Sequence, residues 1–330
     1  MGSAEPRHFL DLLDEDPDQI LALAEKALAA KRGEDIGRLD GRVLVCLFFS
    51  PSLRTRTSFA SAMARLGGSA QILAPGEDSW VLEHRDGVVM DGGGQEHVRE
   101  AAPVLSRYAD AIGIRRCDLA TTSSETADVT GSWEDIRGDA FHHAFAAASE
   151  VPVLNLESNL GHPCQGLADL VTLRERVPEP RAKKYVLTWA WHPKSLALAT
   201  PHSQLQSPCF LGMDVTIARP DGWDLDDEVV ERSRALAESA GGSLSVTDDV
   251  DAAVEGATVV CAKSWGSRDF YGRFEEEPAA KADLRDKWIV DEGKMAAAAD
   301  DAFFMHCLPL RRGVIATDGV LDGPNSAVVD

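Results

Sequence analysis

The stretch Arg42-Val-Leu-Val-Cys-Leu-Phe-Phe49 is apolar and rich in β-branched and aromatic residues, and it is too short for a helix. It predicts a buried strand. A polar loop follows, and then Phe59, Met63 and Leu66 recur at helical spacing. A buried strand that leads through a loop into an amphipathic helix is the repeating unit of folds with parallel sheets. The stretch therefore indicates an α/β fold.

The same alternation continues along the rest of the chain. The patterns predict further strands at 70–73, 111–114, 151–156, 184–189, 213–217, 243–246, 258–262 and 288–290. They predict helices that include 17–31, 97–108, 133–148 and 164–176, and a long irregular loop at 74–95. We expect two doubly wound domains with parallel sheets, comprising residues 1–163 and 164–330.

The composition narrows the classes of function. The 330 residues carry a formal net charge of −21, and such a surface repels nucleic acid and anionic membranes. No apolar run is long enough to span a bilayer. The six cysteines form no Cys-x-x-Cys pair, so we expect reduced thiols in a cytoplasmic protein, with neither disulfides nor zinc. The acidic runs at 224–228 and 274–277 indicate solvated faces.

A negatively charged protein that binds an anion must gather positive groups locally. The loop at 50–58, Ser-Pro-Ser-Leu-Arg-Thr-Arg-Thr-Ser, offers Arg54 and Arg56 at the start of a helix, where free N–H groups favour an anion. It lacks the glycines of a Walker loop and of a dinucleotide-binding turn. The alternative is ordinary capping by Ser and Thr beside solvated arginines, and the loop alone does not decide between the two.

Two further polar segments stand at predicted strand ends. In 161–165, Gly-His-Pro-Cys-Gln, His162 can polarise a carbonyl and Gln165 can bind the same small group; a lone His-Pro is also often structural. In 305–312, Met-His-Cys-Leu-Pro-Leu-Arg-Arg, Cys307 and nearby carbonyls can hold an amine or amide, and the arginines an acid. The alternative for Cys307 is a buried apolar thiol.

Together, Ser-x-Arg-Thr-Arg at 52–56, His-Pro-x-Gln at 162–165 and His-Cys-Leu-Pro at 306–309 resemble the aspartate/ornithine carbamoyltransferase family over nearly the whole chain. Trp80 and the segment 187–194 look like the branch that acts on N-acylornithines. The resemblance implies an enzyme of arginine biosynthesis that moves the carbamoyl group of carbamoyl phosphate to the side-chain amine of an N-acylornithine. It implies no metal and no organic cofactor.

The resemblance also implies the site, at the junction of the two domains in a homotrimer with shared active sites. Trp80 would reach in from a neighbouring subunit, and the peptide bond between Leu308 and Pro309 would be cis. The implied catalytic residues are Arg54, Arg115, His162 and Cys307. The implied carbamoyl phosphate-binding residues are Ser52, Leu53, Arg54, Thr55, Trp80, Arg115, His162, Gln165, Cys307 and Leu308. The implied N-acylornithine-binding residues are Gln95, Glu157, His192, Lys194, Lys263 and Arg311.

The acyl group of the acceptor is a separate question. Acetyl-type relatives carry Glu at the position of Gln95 and succinyl-type relatives carry Pro. A neutral residue there does not repel the extra carboxylate of a succinyl group. Ile315 is apolar, as in succinyl-type relatives, whereas 50–52 and 162–165 look acetyl-like. We expect N-succinyl-L-ornithine as the acceptor, with N-succinylcitrulline and phosphate as products, and N-acetyl-L-ornithine is the alternative.

The sequence alone leaves two other classes of function open. Family members continue past 329–330 into a last helix that supplies an arginine to the site. We do not find this C-terminal return helix, so we expect either a truncated sequence or a protein that lacks that contact. A non-catalytic carbamoyl phosphate-binding homologue is therefore an alternative. A nucleotide-dependent oxidoreductase shares the α/β pattern, but the chain lacks the glycine-rich turn of that class.

Overall fold

Two parallel sheets organise the computed structural model, which describes residues 6–118 and 131–329. The first sheet has the strand order β2-β1-β5-β6, and the short strands β3 and β4 pair separately. All these pairs are parallel. The strands are β1 (Val43–Phe48), β2 (Ser69–Leu73), β3 (Leu82–Glu83), β4 (Glu96–His97), β5 (Ala111–Arg115) and β6 (Val153–Glu157).

The second sheet has the order β11-β10-β7-β8-β9, again with parallel neighbours. Its strands are β7 (Lys184–Trp189), β8 (Asp214–Ala218), β9 (Ser243–Thr247), β10 (Val259–Lys263) and β11 (Phe303–Met305). The helices of the described residues are α1 (Pro17–Lys31), α2 (Arg54–Arg65), α3 (Val98–Leu105), α4 (Trp133–Ile136), α5 (Ala140–Ala148), α6 (Pro163–Arg176), α7 (Ala199–Cys209), α8 (Asp227–Ser239), α9 (Val250–Val254), α10 (Glu277–Ala280), α11 (Arg285–Trp288), α12 (Glu292–Ala297) and α13 (Asp318–Leu321). None of them is long and apolar enough to cross a membrane.

Strand β1 shows why its sequence is apolar at every position. Val45 and Leu47 pack with Ile112 in one core cluster, whereas Leu44 and Phe48 pack in another. Because successive side chains point to opposite faces, a strand covered on both sides must be apolar throughout. The predicted α/β fold with parallel sheets is confirmed.

Two predicted elements differ from the structure, and the loop predicted to be irregular at 74–95 contains the short strand β3. The expected helix at 133–148 is divided into α4 and α5, because Asp139 between them adopts a φ of 47° and its carboxylate accepts N–H groups of Asn159 and Leu160. The expected strand at 288–290 is wrong: Trp288 ends helix α11, and Val290 makes only an isolated bridge. The apolar pattern there reflects burial without sheet pairing.

The two acidic runs are not wholly solvated, contrary to the prediction. Asp226 is 2% exposed; it caps α8 and accepts hydrogen bonds from Trp133 and Arg137. Glu277 is fully buried. Charged side chains are rarely buried unless they are paired, and the sequence did not reveal the partners of these two.

Helices α6 and α7 join the first sheet to the second. Leu170 and Leu173 of α6 belong to the core cluster of the second sheet. Gly166 permits the close approach, because a Cβ there would lie 2.5 Å from the Leu12 Cδ1 and 3.0 Å from the backbone oxygen of Ser203. The boundary between 163 and 164 stays a prediction.

Each sheet has a point at which the chain reverses its direction of winding. In the first sheet, β2 lies on one side of β1 and β5 on the other; in the second, β8 and β10 flank β7. Ligands of such sheets bind outside the carboxyl ends of the strands at these points. A ligand site is therefore expected at the loops that follow β1, β5, β7 and β10.

Candidate active site

The loop after β1 leads into α2 without a side-chain cap. Leu53 is the N-cap residue, 78% exposed, and within 6–118 and 131–329 no side chain caps the first turn of the helix. Thr57 donates its hydroxyl to the carbonyl of Leu53 instead. The alternative that Ser and Thr cap this helix is therefore wrong. The first-turn N–H groups, with Arg54, remain available to an anion.

Arg115 ties this loop to the end of β6. Its guanidinium donates to the Thr55 hydroxyl at 3.1 Å and to the Ser50 hydroxyl at 3.5 Å, and it forms an ion pair with the buried carboxylate of Glu157. A register shift between β5 and β6 occurs beside Arg115. Such irregularities commonly re-aim a side chain next to a site. Ser50 is a partner that the sequence did not indicate.

His162 lies just before α6 and its ring is largely enclosed. Its backbone N–H donates to the Ser203 hydroxyl at 2.8 Å, and its ring Nδ1 is buried with no hydrogen-bond partner among the described residues. Burial lowers the pKa of His162 to about 4; nearby Arg115 also lowers it, while Glu157 opposes the shift. The imidazole is therefore neutral at pH 7 and can exchange a hydrogen bond with a carbonyl oxygen or amide.

Gln165 is fixed by Asp169, one helical turn further along α6. The Gln165 Nε2 donates to the Asp169 Oδ1 at 3.0 Å. Burial raises the pKa of Asp169 to about 7, against the lowering effect of the hydrogen bonds from Gln165 and Gln204. Because the Nε2 is engaged by the carboxylate, the Oε1 of Gln165 is the atom left to accept an N–H from a ligand.

Cys307 follows β11, and burial raises the pKa of its thiol to about 11. The thiol is therefore protonated at pH 7, which argues against a nucleophilic role, because the thiolate is the reactive form. The next peptide bond, between Leu308 and Pro309, is cis, as the resemblance implies, and Leu308 has a φ of 50°.

The predicted acceptor-binding residues of the second sheet form a positively charged group. The Nε of Arg311 donates to the Nε2 of His192 at 3.0 Å, so the ring proton lies on Nδ1, which donates to the backbone carbonyl of Lys194 at 3.1 Å. Burial lowers the pKa of His192 to about 4, and the cations Arg311, Lys263 and Lys281 lower it further. A neutral ring between cations suits an acidic ligand.

The two groups of residues meet at the junction of the sheets. The charges of Arg54 and Glu157 from the first sheet and of Lys263 from the second all act on the Cys307 thiol. His306 likewise experiences both Arg54 and Lys263. Glu157 also pairs with Arg115, and both act on His162. The structure therefore places Arg54, Arg115, His162 and Cys307 around one region, although they are far apart in sequence.

Other predicted site residues lie outside this group. Trp80 is 53% exposed and donates its indole N–H to the Glu96 carboxylate. The side chains of Gln95 and Lys194 are exposed to solvent. Ile315 is buried in the core of the second sheet, so its apolar character has a packing explanation that does not involve the acyl group. Among the described residues, no cluster of three or more His, Cys, Asp or Glu could hold a metal ion.

Comparisons with known proteins show the family of the chain. Residues 7–175 match the carbamoyl-P binding domain of aspartate/ornithine carbamoyltransferase, and residues 197–330 match its Asp/Orn binding domain. The chain is 42% identical to the N-acetylornithine carbamoyltransferase of Xanthomonas campestris pv. campestris over 327 residues, which cover 98% of this chain and 93% of that protein. It is 34% identical to the N-succinylornithine carbamoyltransferase of Bacteroides thetaiotaomicron over 297 residues, which cover 89% and 83%.

A solved structure gives the same result. Acetylornithine transcarbamylase complexed with acetylcitrulline matches with a TM-score of 0.90 at 41% identity, covering 98% of this chain and 94% of that one. The succinyl preference expected from Gln95 and Ile315 is not confirmed, and the similarities favour the acetyl alternative. The chain belongs to the aspartate/ornithine carbamoyltransferase family of enzymes.

Proposed function

We propose that this enzyme transfers the carbamoyl group of carbamoyl phosphate to the side-chain amine of N-acetyl-L-ornithine, giving N-acetylcitrulline and phosphate in arginine biosynthesis. One observation supports the proposal: Arg54, which follows β1, and Lys263, at the end of β10, both act on the thiol of Cys307, which follows β11. The higher identity to the Xanthomonas N-acetylornithine enzyme supports the choice of acyl group.

Positive groups and free N–H groups bind carbamoyl phosphate in this proposal. In this proposal the phosphate binds the free N–H groups at the start of α2, between Ser52, Arg54 and Thr55. Arg115 reaches the carbonyl oxygen from its position against Thr55. The neutral imidazole of His162 hydrogen-bonds that oxygen, and the Oε1 of Gln165 accepts an N–H of the carbamoyl amide.

The reaction then needs no base from the protein. The neutral side-chain amine attacks the carbamoyl carbon, a C–N bond forms, and the carbonyl oxygen becomes anionic. The bond from carbon to the phosphate oxygen breaks, and the departing phosphate takes a proton from the nitrogen. The residues contribute by positioning the reactants and by electrostatic stabilisation of the oxygen. Cys307 and Leu308 line the amide side, and the protonated thiol agrees with a binding role.

The acceptor half uses the second sheet. Lys263 and Arg311 offer two cations to the α-carboxylate of the acceptor, and His192 holds Arg311 in place. Glu157, which is paired with Arg115, faces the junction from the first sheet. Gln95, Lys194 and Trp80 are assigned to the acceptor and to the shared site only by resemblance to the family.

N-succinyl-L-ornithine is a second candidate acceptor, because Gln95 presents no carboxylate to the acyl group. A comparison of kcat/KM for the two acceptors decides between them, and we expect the higher value with N-acetyl-L-ornithine. A higher value with the succinyl compound would select the second candidate.

In Gln95→Glu we expect the ratio of succinyl to acetyl turnover to fall by about tenfold through like-charge repulsion. Gln71→Glu, an exposed glutamine in β2, is the matched control, and an unchanged ratio in Gln95→Glu rejects the assignment of that residue.

We further propose a homotrimer in which Trp80 completes the site of a neighbouring subunit. Trp80, Val81, Val89 and Met90 are exposed apolar side chains of one segment, and such a patch is typical of a surface that another chain covers. The six free cysteines support a reducing, cytoplasmic location. Mass measurement in solution tests the trimer: a monomer that is fully active would contradict it.

A further inference from the structure

The two most deeply buried charged residues of the described part of the chain lie in and directly after α10, beside the loop that follows β7. Glu277 is fully buried and Lys281 is 1% exposed, and the Lys281 Nζ donates to the Glu277 Oε1 at 2.5 Å. Taking two charges out of water is costly, and their mutual attraction offsets this only if the remaining polar atoms are also bonded. The partners of those remaining atoms therefore indicate what the pair holds.

The Glu277 carboxylate and the Lys281 ammonium form further hydrogen bonds with the same loop, 191–196, which follows β7. The Ser195 hydroxyl donates to the Glu277 carboxylate, and the Lys281 ammonium donates to the backbone carbonyl of Lys194 at 3.1 Å. The indole N–H of Trp191 donates to the carbonyl of Lys281 at 3.0 Å. The loop is thus bound to the pair at its beginning and near its end.

This loop carries His192, whose Nε2 accepts the hydrogen bond from Arg311. A second line of contacts fixes the other side of the loop, where the N–H of Gly266 donates to the carbonyl of Leu196 at 2.8 Å. A Cβ at Gly266 would lie 3.0 Å from the Glu277 Oε2, so the segment after β10 also packs directly on the pair.

We propose that Glu277 and Lys281 are positioning residues for the acceptor: they clamp the loop 191–196 and thereby fix His192 and, through it, Arg311. The inference rests on the proposed function, because it assigns the acceptor to these residues. Among the described residues, the side-chain hydrogen bonds of the pair go to each other and to the loop 191–196, away from the proposed carbamoyl phosphate-binding residues. The clamp therefore acts on acceptor binding and leaves carbamoyl phosphate binding unchanged.

The test uses variants that remove the clamp without leaving a lone buried charge. Ser195→Ala deletes one bond to the loop and keeps the ion pair, and the double variant Glu277→Gln/Lys281→Met removes both charges together. Ser195→Thr retains the hydroxyl. Ser149→Ala is the matched control, since Ser149 is a nearly buried serine whose hydroxyl holds a turn in the first domain.

In Ser195→Ala and the double variant we expect the KM for N-acetyl-L-ornithine to rise by about tenfold, as when the supporting partners of a binding group are removed. The KM for carbamoyl phosphate should stay within about twofold, and Ser195→Thr should restore the acceptor KM. A purely structural role would raise both KM values or lower kcat alone. Equal changes in both KM values, or no change in the acceptor KM, would overturn the proposal.

Amide hydrogen exchange of residues 190–197 provides a readout that does not depend on turnover. We expect exchange in this loop to be about tenfold faster in Ser195→Ala than in the wild-type and Ser149→Ala proteins. Unchanged exchange would refute the clamp. If the wild-type enzyme turned over none of the N-acylornithines, the proposed function would fail, and the exchange data would still decide whether the pair holds the loop.

Discussion

Arg115 is the residue on which the proposed chemistry depends most strongly. It contacts Thr55 and Glu157 and faces the position proposed for the carbonyl oxygen. For Arg115→Ala we expect kcat to fall by about 10²–10³-fold, because a preorganised donor to a developing oxyanion is lost. Steady-state kinetics with saturating substrates measure the effect.

The control for this substitution is Arg107→Ala, which removes an arginine that is largely exposed and lies 3.5 Å from Glu150. Its kcat should remain within about twofold of wild type, because exposed ion pairs contribute little. A similar loss in both variants would attribute the effect to general damage and contradict the role of Arg115.

At the residue scale, the sequence could indicate candidate site residues that lie within short motifs. Arg54, His162, Gln165 and Cys307 lie in short motifs, and the structure brings them to one junction. Glu277 gave no such signal, because an acidic run normally lies on a solvated face. Its burial depends on Lys281, whose matching role is visible only once the side chains are packed.

At the scale of elements, Gly166 of α6 allows this helix to pack closely against α7. A Cβ added there would lie 2.5 Å from the Leu12 Cδ1 and 3.0 Å from the Ser203 backbone oxygen. We expect Gly166→Ala to destabilise the protein by about 1–3 kcal/mol through overpacking. It should also weaken carbamoyl phosphate binding, because Ser203 holds the backbone N–H of His162. Urea unfolding and the KM for carbamoyl phosphate are the two measurements.

Gly138→Ala is the control for Gly166→Ala, since a Cβ at Gly138 meets no atom within 4 Å. It should alter stability by no more than about 0.5 kcal/mol, as is usual for surface substitutions. If Gly166→Ala were equally neutral, the close approach of α6 and α7 would not be the reason for this glycine.

The sequence predicted most elements because a doubly covered sheet leaves a continuous apolar pattern. Helix α1 and strand β7 have the predicted bounds. The errors at 133–148 and 288–290 arose where tertiary contacts override the pattern: the turn at Asp139 depends on Asn159 and Leu160, which follow β6. Such contacts join distant parts of the chain and leave no local signal.

At the scale of the whole molecule, the buried His202 connects the two halves of the chain. His202 is fully buried; its Nδ1 lies 2.7 Å from the carbonyl oxygen of Leu160, and its Nε2 accepts the N–H of Asp226 at 3.0 Å. This arrangement requires a neutral ring with the proton on Nδ1, because a proton on Nε2 would face the donor of Asp226.

Protonation of His202 should therefore destabilise the fold. Burial lowers the pKa of His202 to about 4, below the ordinary value of 6.5 that applies in the unfolded chain. Between these values the unfolded state binds a proton that the folded state does not, so stability falls as the pH falls from 6.5 toward 4. For this residue we expect a loss of about 2 kcal/mol between pH 7 and pH 5.

The variant His202→Gln removes the contribution of His202 to the pH dependence of stability and leaves the other titrating groups in place. Urea unfolding at pH 7 and pH 5 should show a smaller pH dependence in His202→Gln than in wild type. His143→Gln, an exposed histidine of α5, should retain the wild-type dependence. Equal dependence in His202→Gln and wild type would contradict the assignment.

The central claim is that the junction of the two sheets moves a carbamoyl group to an N-acylornithine. Carbamoyl phosphate labelled with ¹³C, incubated with the enzyme and N-acetyl-L-ornithine, tests this directly by NMR of the products. We predict that the label appears in the ureido carbon of N-acetylcitrulline, in equal amount to the phosphate released. Release of phosphate without a labelled ureido product, or no reaction with any N-acylornithine, would contradict the account.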